Sequence, residues 1–206
     1  MLNTNPEPLL ISANFSQAIY YGAFEMLGAF ELRKLLKKTG NCNVKLSDHG
    51  CQGLSSSEFK DLLNSLIGQY GLLTAQGICL RIGRVIFQYL RRNYPEIIFN
   101  NSIEEHMQPL DKWIGNELEN LTQWLQKNLA CQIGMDKENE NWVIRINLFE
   151  KCHPEINKIY FYFFNGILQD CLEWMDSRHR YRIEMFSNSK DDHSSYSISI
   201  SYQPID

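Results

Sequence analysis

Apolar residues in the first part of the chain recur every three or four positions, which is the period of an amphipathic helix. The segment from Asn14 to Lys38 shows this period, and Gly40 behind it is a residue typical of helix C-caps. Residues 41–57 are polar and rich in Gly and Ser, which indicates a loop. We therefore expect one long helix and then a loop.

Two more helices are predicted after this loop. Ser55 or Ser56 is expected to cap the first of them, and the glycines within Gly68–Gly71 are expected to end it. The second runs from Leu72 to about Arg92. Pro95 ends it, because the residue before a proline avoids the helical conformation.

The remaining helices are predicted over Ser102–Asn128 and Ile156–Met175. Pro109 is expected to bend or divide the former, since proline cannot donate a backbone hydrogen bond. The latter is apolar nearly all round, so we expect it to be buried on several sides.

The strands are predicted from residues that alternate or favour the β conformation. Residues 131–135 and 142–149 flank the polar stretch 136–141, which suggests a hairpin with a turn there. Residues 180–186 and 194–202 alternate between apolar and polar, and the second run does so strictly. These segments predict a second hairpin that has one face exposed to solvent.

Together the elements predict an α+β fold, in which helices pack on one face of an antiparallel four-stranded sheet and an N-terminal helical region is added. We divide the chain into an N-terminal helical region and loop, 1–54, and an α+β domain, 55–206, and expect both to form one compact unit. At 206 residues the length suits this division.

Composition narrows the class of protein. Hydrophobic residues make up 44% of the chain, which argues against disorder, and a net charge of -4 argues against a general nucleic-acid binder. No stretch approaches the roughly 20 apolar residues of a membrane span, and the first residues do not resemble a signal peptide. We therefore predict a cytoplasmic protein without a transmembrane segment.

The cysteines and histidines do not form a recognisable catalytic or metal-binding motif. The six cysteines are scattered without CxxC spacing, so we expect reduced thiols, and Cys79 and Cys171 fall on apolar helical faces where buried thiols are unreactive. Cys42, His49 and Cys51 share one loop, but they lack the paired spacing of a structural zinc site. We assign no catalytic residue and no reaction, and a role as an enzyme stays open but is disfavoured.

Two local patterns carry a resemblance to a known family. The first is AQGICLRIGRVIFQYL, with Gly77, Gly83 and Arg84; the second is YFYFFNGILQDCLEWMDSRHRYRIEMF, with Gly166 and Glu184, followed by SYSISI. They resemble the 4-vinyl-reductase, or hydrocarbon-binding, domains. That family is related in fold to small subunits of the transport-protein-particle tether and to heme nitric-oxide-binding domains.

The resemblance implies an apolar pocket between helices and sheet, and an N-terminal helical region that often forms a homodimer. Its ligand would be a hydrocarbon, an acyl chain or a tetrapyrrole-like molecule, bound without a reaction. The alternative is a scaffold or assembly factor of the same fold, which fills the pocket with its own side chains and binds a protein partner. The predicted pocket residues are Ile78, Ile82, Trp113, Phe161, Phe164, Leu168 and Trp174.

The resemblance also bears on cofactors. Family members that hold zinc carry cysteines around the last hairpin, where this chain has Ser187 and Ser194 or Ser195. A heme site would need a proximal histidine, for which His106 is suitably placed, and a Tyr-x-Ser-x-Arg motif, but residues 160–166 contain neither Ser nor Arg. We therefore predict no cofactor, with heme and zinc as disfavoured alternatives.

Overall fold

The computed structural model describes residues 11–38, 54–95, 108–129, 131–148, 154–187 and 195–205. Within these ranges the chain forms five helices and a four-stranded antiparallel sheet, which confirms the predicted α+β fold. The helices are α1 (Ala13–Lys38), α2 (Ser56–Tyr70), α3 (Leu72–Asn93), α4 (Leu110–Asn128) and α5 (Pro154–Met175). The strands are β1 (Cys131–Glu138), β2 (Asn141–Leu148), β3 (Tyr181–Ser187) and β4 (Ser195–Pro204), in the spatial order β1-β2-β4-β3.

Helix α2 begins with a capping box and ends at a glycine. The Ser55 hydroxyl accepts a hydrogen bond from the backbone N–H of Glu58 at 3.2 Å, and the Glu58 carboxylate accepts one from the N–H of Ser55 at 2.7 Å. Gly71 separates α2 from α3 with φ 77° and ψ 160°, a conformation that only glycine adopts readily. Both boundaries agree with the sequence prediction, and Ser55 is the capping residue.

Helix α1 is interrupted, which the sequence pattern did not predict. Gly28 has φ 76° and ψ 165°, outside the helical region, so the two halves of α1 run in different directions. Glu31 in the second half accepts hydrogen bonds from the Gln69 amide and, at 3.3 Å, from the Tyr70 hydroxyl at the end of α2. The predicted C-cap Gly40 and most of the predicted loop lie outside the described residues.

The later helices begin at prolines. Pro109 precedes the first residue of α4, so within the described residues it starts this helix instead of bending it. Most of the helix predicted between Ser102 and Pro109 lies within residues 96–107, which are outside the described residues. Helix α5 begins at Pro154, two residues before the predicted start. None of the helices in the described ranges combines the length and apolarity needed to cross a membrane.

The first hairpin turns more tightly than predicted. Strands β1 and β2 stay paired up to Glu138 and Asn141, and the turn consists of Asn139, with φ 53°, and Glu140. The predicted turn, 136–141, was wrong in its width because charge pairs extend the ladder: the Arg145 guanidinium on β2 contacts the carboxylates of Asp136 and Glu138 on β1.

The sheet buries one side of each central strand. The least exposed residues of β2 and β4 recur at every second position, and Ile144 and Ile198 are cross-strand partners on this side. Val143 and Ser197, which point to the other side, are also buried, each with 8% of its surface exposed. Ser199 and Ser201 alternate with these apolar residues on β4. The inner side chains of these two strands are Trp142, Ile144, Ile146, Ile198 and Ile200.

Helix α1 shares its core with the rest of the protein. Its Gly22 lies against α3, where an added Cβ would stand 3.1 Å from the Ile82 carbonyl oxygen and 3.2 Å from an Ile86 side-chain carbon. Phe15, near the start of α1, is fully buried. The division of the chain at residue 54 remains a prediction.

Helices α3 and α5 cross in backbone contact. A Cβ added at Gly83 would lie 2.2 Å from the carbonyl oxygen of Phe163, and one added at Gly166 would lie 2.0 Å from that of Leu80. Both obstacles are backbone atoms, which cannot rotate away as a side chain can. The two glycines therefore allow a close approach that no larger residue permits.

We predict that Gly83→Ala and Gly166→Ala each lower the free energy of unfolding by about 3 kcal/mol, because each methyl group would force the helices apart. Urea unfolding followed by circular dichroism measures the loss. The matched control is Gly77→Ala on the same helix, where the added Cβ meets nothing within 4 Å. That variant should be neutral or up to about 1 kcal/mol more stable. Equal effects at Gly77 and Gly83 would contradict the close crossing.

Candidate functional site

Five buried aromatic side chains from four helices meet in the interior, and we call them the ring cluster. The Phe15 ring of α1 lies 5.6 Å from Trp124 of α4 and 6.3 Å from Phe163 of α5, measured between ring centroids. The Phe59 ring of α2 lies 5.2 Å from Phe163 and 5.4 Å from Tyr160. At these separations each aromatic pair adds about 0.5–1.5 kcal/mol beyond the burial of its area.

The ring cluster joins helices through side chains. Phe15 reaches rings on both α4 and α5, so its ring lies where these two helices and α1 converge. A region walled by aromatic and aliphatic groups is the usual surrounding of a bound apolar molecule, but rings in contact can equally fill such a space by themselves. Phe15, Phe59 and Trp124 are not among the pocket residues predicted from the sequence.

A second aromatic contact, the tryptophan pair, also bridges α4 and α5. The ring centroids of Trp113 on α4 and Trp174 on α5 are 6.3 Å apart, and both side chains are only partly buried. The guanidinium carbon of Arg91, on α3, lies 5.8 Å from the centroid of Trp174, within the range of a cation–π interaction. The pair thus combines exposed aromatic surface with a positive charge.

The structure brings some of the predicted pocket residues together and separates others. Trp113 and Trp174 are in contact, whereas Ile82 packs against Gly22 of α1, 3.2 Å from the position of an added Cβ. Gly166, which belongs to the second of the two motifs, is in contact with the backbone of α3. The remaining predicted residues are half-buried Ile78 on α3 and the buried Phe161, Phe164 and Leu168 on α5. A common pocket for all seven stays a prediction.

Three cysteines in the described residues are buried thiols. Burial raises the pKa of Cys79 and that of Cys131 to about 12. Burial, and then the charges of Glu117 and Asp170, raise the pKa of Cys171 well above its usual value. At neutral pH these thiols are protonated, so they are poor nucleophiles and poor metal ligands. The expected burial of Cys79 and Cys171 is confirmed.

A group of polar residues follows the end of α5. Asp176 is 4% exposed, and its carboxylate accepts hydrogen bonds from the Tyr181 hydroxyl at 2.9 Å, the His179 Nδ1 at 2.9 Å and the Arg178 backbone N–H at 3.3 Å. Burial alone would raise the pKa of Asp176, but these hydrogen bonds outweigh it and lower that pKa. Burial and the bond to Asp176 raise the pKa of Tyr181.

His179 is thereby held with one nitrogen toward a carboxylate. Because an ionised carboxylate only accepts, Nδ1 carries the proton and Nε2 is left for another partner. This group was not predicted from the sequence, although an Asp and a His three residues apart follow directly after the predicted helix. Within the described residues, no three His, Cys, Asp or Glu side chains lie close enough to hold a metal ion. The predicted loop trio of Cys42, His49 and Cys51 lies outside those residues.

His179 and Tyr181 border a cavity of about 500 Å³, which we call the polar cavity. This volume is within the range of small-molecule sites. Walls come from α3, α5, the turn after α5, β3 and the residue that follows β4. The lining residues are Arg84, Gln169, Leu172, Glu173, Ser177, His179, Arg180, Tyr181, Ile183 and Ile205.

We predict that Asp176→Asn lowers the free energy of unfolding by about 1.5–3 kcal/mol at pH 7, because hydrogen bonds to a charged acceptor are lost. Since the pKa of Asp176 is lowered on folding, its contribution is complete above the usual value of 3.8 and disappears as pH falls further. Urea unfolding at pH 7, 5 and 3 measures the gap in free energy of unfolding between the parent chain and the variant. We expect this gap to close only at the lowest pH. Asp61→Asn, at an exposed position on α2, is the control. A gap of the same size at pH 3 would contradict the assignment.

Comparisons with known proteins give likeness in structure without likeness in sequence. No family model matches the chain, and no curated protein matches it. A mutant of the T. Tengcongensis H-NOX domain is 11% identical, with a TM-score of 0.63 over 94% of this chain and 99% of that chain. An oxygen-binding H-NOX domain related to soluble guanylate cyclases is 10% identical, with a TM-score of 0.61 over 94% and 96%. A structure from a study of heme distortion in the H-NOX family has a TM-score of 0.63 at 10% identity, with 94% and 96% covered.

These neighbours contradict the prediction that the chain has no cofactor, because H-NOX domains are heme-binding domains. The described residues of this chain fit such a group in part. Aromatic walls around α4 and α5 suit the apolar faces of a porphyrin, but heme iron needs an axial ligand. Cys171 is a protonated thiol, and His179, the single histidine in the described ranges, borders the polar cavity instead.

Within the described residues no histidine is found at these aromatic walls, so a histidine ligand would have to come from outside them. His106, the histidine considered in the sequence analysis, is four positions before the first residue of α4 and lies outside them. At 10–11% identity the comparisons show the architecture alone. The sequence analysis named heme nitric-oxide-binding domains as relatives in fold of the 4-vinyl-reductase family, and it is their fold that this chain has.

Proposed function

We propose that this chain is a non-catalytic small-molecule-binding domain whose ligand is planar and largely apolar, of the tetrapyrrole class, with heme as the first candidate. The observation that carries the proposal is the H-NOX fold together with the aromatic contacts that join α4 and α5. One fold can serve many functions, so the likeness in fold does not determine the ligand. The aromatic contacts are the support that comes from this chain's own residues.

The ligand would lie between α4 and α5, near the tryptophan pair. Trp113 and Trp174 offer partly exposed ring faces, on which a planar molecule can stack. Arg91 beside Trp174 supplies a positive charge that suits an acidic substituent such as a propionate.

The first experiment is a titration of the purified chain with hemin, followed by the Soret absorption band. We expect one equivalent to bind, and His106→Ala to weaken binding at least about tenfold, because that histidine is the proposed axial ligand. His179→Ala is the matched control and should bind as the parent chain does. Equal loss in both variants, or loss in His179→Ala alone, would contradict the proposed position.

Metal-free protoporphyrin separates the contribution of iron from that of the aromatic walls. We expect it to bind with similar affinity to the parent chain and to His106→Ala, but to lose affinity in Trp174→Ala.

Phe164→Ala removes a buried ring of α5 away from the tryptophan pair and should lower the free energy of unfolding by about 3–5 kcal/mol. If neither porphyrin binds and naphthalene-sized or acyl ligands do, the hydrocarbon reading of the 4-vinyl-reductase resemblance replaces this one.

A scaffold or assembly factor is the second candidate function. It is favoured because the rings of the ring cluster contact one another and can fill the interior by themselves. Large apolar side chains at the surface also favour it, since Phe30 is 78% exposed and Leu73 is 83% exposed. The partner would be a protein or a second copy of the chain. Native mass spectrometry of freshly purified protein distinguishes the candidates, since a carrier retains a small-molecule mass and a scaffold retains a polypeptide.

The cellular location is also part of the proposal. Cys79, Cys131 and Cys171 are free thiols, as expected in a reducing compartment, which supports the predicted cytoplasmic location.

A further inference from the structure

The polar cavity shares no lining residue with the tryptophan pair or the ring cluster. Its volume of about 500 Å³ suffices for a small organic molecule. One wall is fixed by hydrogen bonds, since Asp176 holds both His179 and Tyr181, and the N–H of Ile205 donates to the Arg180 carbonyl at 2.9 Å. A concave site with fixed walls binds a ligand without the entropic cost of ordering its own groups.

The two carboxylates that pair with Arg84 at the cavity differ in how firmly they are fixed. Arg84 is paired with two carboxylates: Asp170, whose side chain is 10% exposed and lies 3.3 Å from the Arg84 Nε, and Glu173, whose side chain is 63% exposed. Asp170 also accepts a hydrogen bond from Gln88 at 3.2 Å, so it is fixed from two sides. Within the described part of the chain, Glu173 contacts Arg84 without a second anchor of this kind. An exposed ion pair contributes only about 0–1 kcal/mol.

A ligand carboxylate can therefore take the place of Glu173 on Arg84 at small cost. Arg180 also lines the cavity, and its guanidinium adds further donors. The N–H of His179, at Nδ1, is already directed to Asp176. A planar guanidinium offers several donors and can bind a carboxylate through two of them.

Other lining residues of the cavity are apolar or aromatic. Leu172 is buried, Tyr181 and Ile183 are half-buried, and Ile205 is 64% exposed at the rim. An exposed isoleucine beside a concave wall is a surface that an apolar group of a ligand would cover. The cavity thus offers cationic donors and an apolar wall within one volume.

We propose that the polar cavity binds a small amphipathic organic anion, such as an aromatic carboxylate, with its acid group on Arg84 and Arg180 and its apolar part against Leu172, Ile183 and Ile205. The site is independent of the proposed porphyrin site. Failure of one proposal leaves the other standing.

Calorimetric titration with 1-naphthoate tests this, with 1-naphthylmethylamine as a cation of the same shape. We expect 1:1 binding of the naphthoate, at least about tenfold tighter than the amine, since only the anion gains charge-assisted hydrogen bonds. Arg180→Gln should weaken naphthoate binding about tenfold. Arg182→Gln, two positions away on β3 and paired with Glu184, is the matched control and should leave the affinity unchanged.

Two further variants test the position and the sign of the charge effect. Glu173→Gln removes the competing carboxylate and should tighten naphthoate binding several-fold, whereas a cation site would be weakened. Ser177→Trp, at an exposed lining residue, should block the cavity and abolish binding. Circular dichroism confirms that each variant is folded. The proposal is overturned if amine and naphthoate bind equally, if both arginine variants behave alike, or if Glu173→Gln weakens the anion.

Discussion

The backbone contact between α3 and α5 is the constraint on which the rest of the structure depends. Gly83 and Gly166 face each other's helices so closely that a carbonyl oxygen occupies the position of a missing methyl group. Arg84 directly follows the first glycine, and Asp170 lies one turn after the second, so the crossing also sets their ion pair. Phe163, whose carbonyl touches Gly83, carries one ring of the ring cluster. A single crossing thus positions both the interior aromatic contacts and one wall of the polar cavity.

Much of the fold could be predicted because local signals agree with the final packing. Helical periodicity, the Ser55 cap and the alternation in β4 each describe what a short segment does by itself. The interruption at Gly28 could not be read in this way, since a glycine inside a helical pattern is compatible with either a continuous or a broken helix. The hairpin turn was misjudged because Asp136 and Glu138 look like turn residues, and become strand residues only when Arg145 lies across from them.

The candidate sites were harder to predict than the fold. Apolar periodicity identifies which residues are buried but not which neighbour they face, and so Ile82, which contacts α1, was grouped with residues of α5. Asp176, His179 and Tyr181 are close in sequence, but their hydrogen bonds depend on how the chain leaves α5 and enters β3. The cofactor prediction was wrong because it relied on short motifs, whereas the likeness to H-NOX domains is carried by the path of the backbone.

The two glycine joints in the N-terminal half have a consequence for how this protein tolerates changes in length. Gly71 is the whole connection between α2 and α3, and its φ of 77° nearly equals the 76° of Gly28 within α1. With one residue as the connection, α3 has to begin directly after α2, and one amino acid added within α3 before Gly83 would rotate Gly83 by about 100° about the helix axis. Gly83 would then no longer point at α5. In evolution, this half of the molecule should accept substitutions far more readily than insertions or deletions.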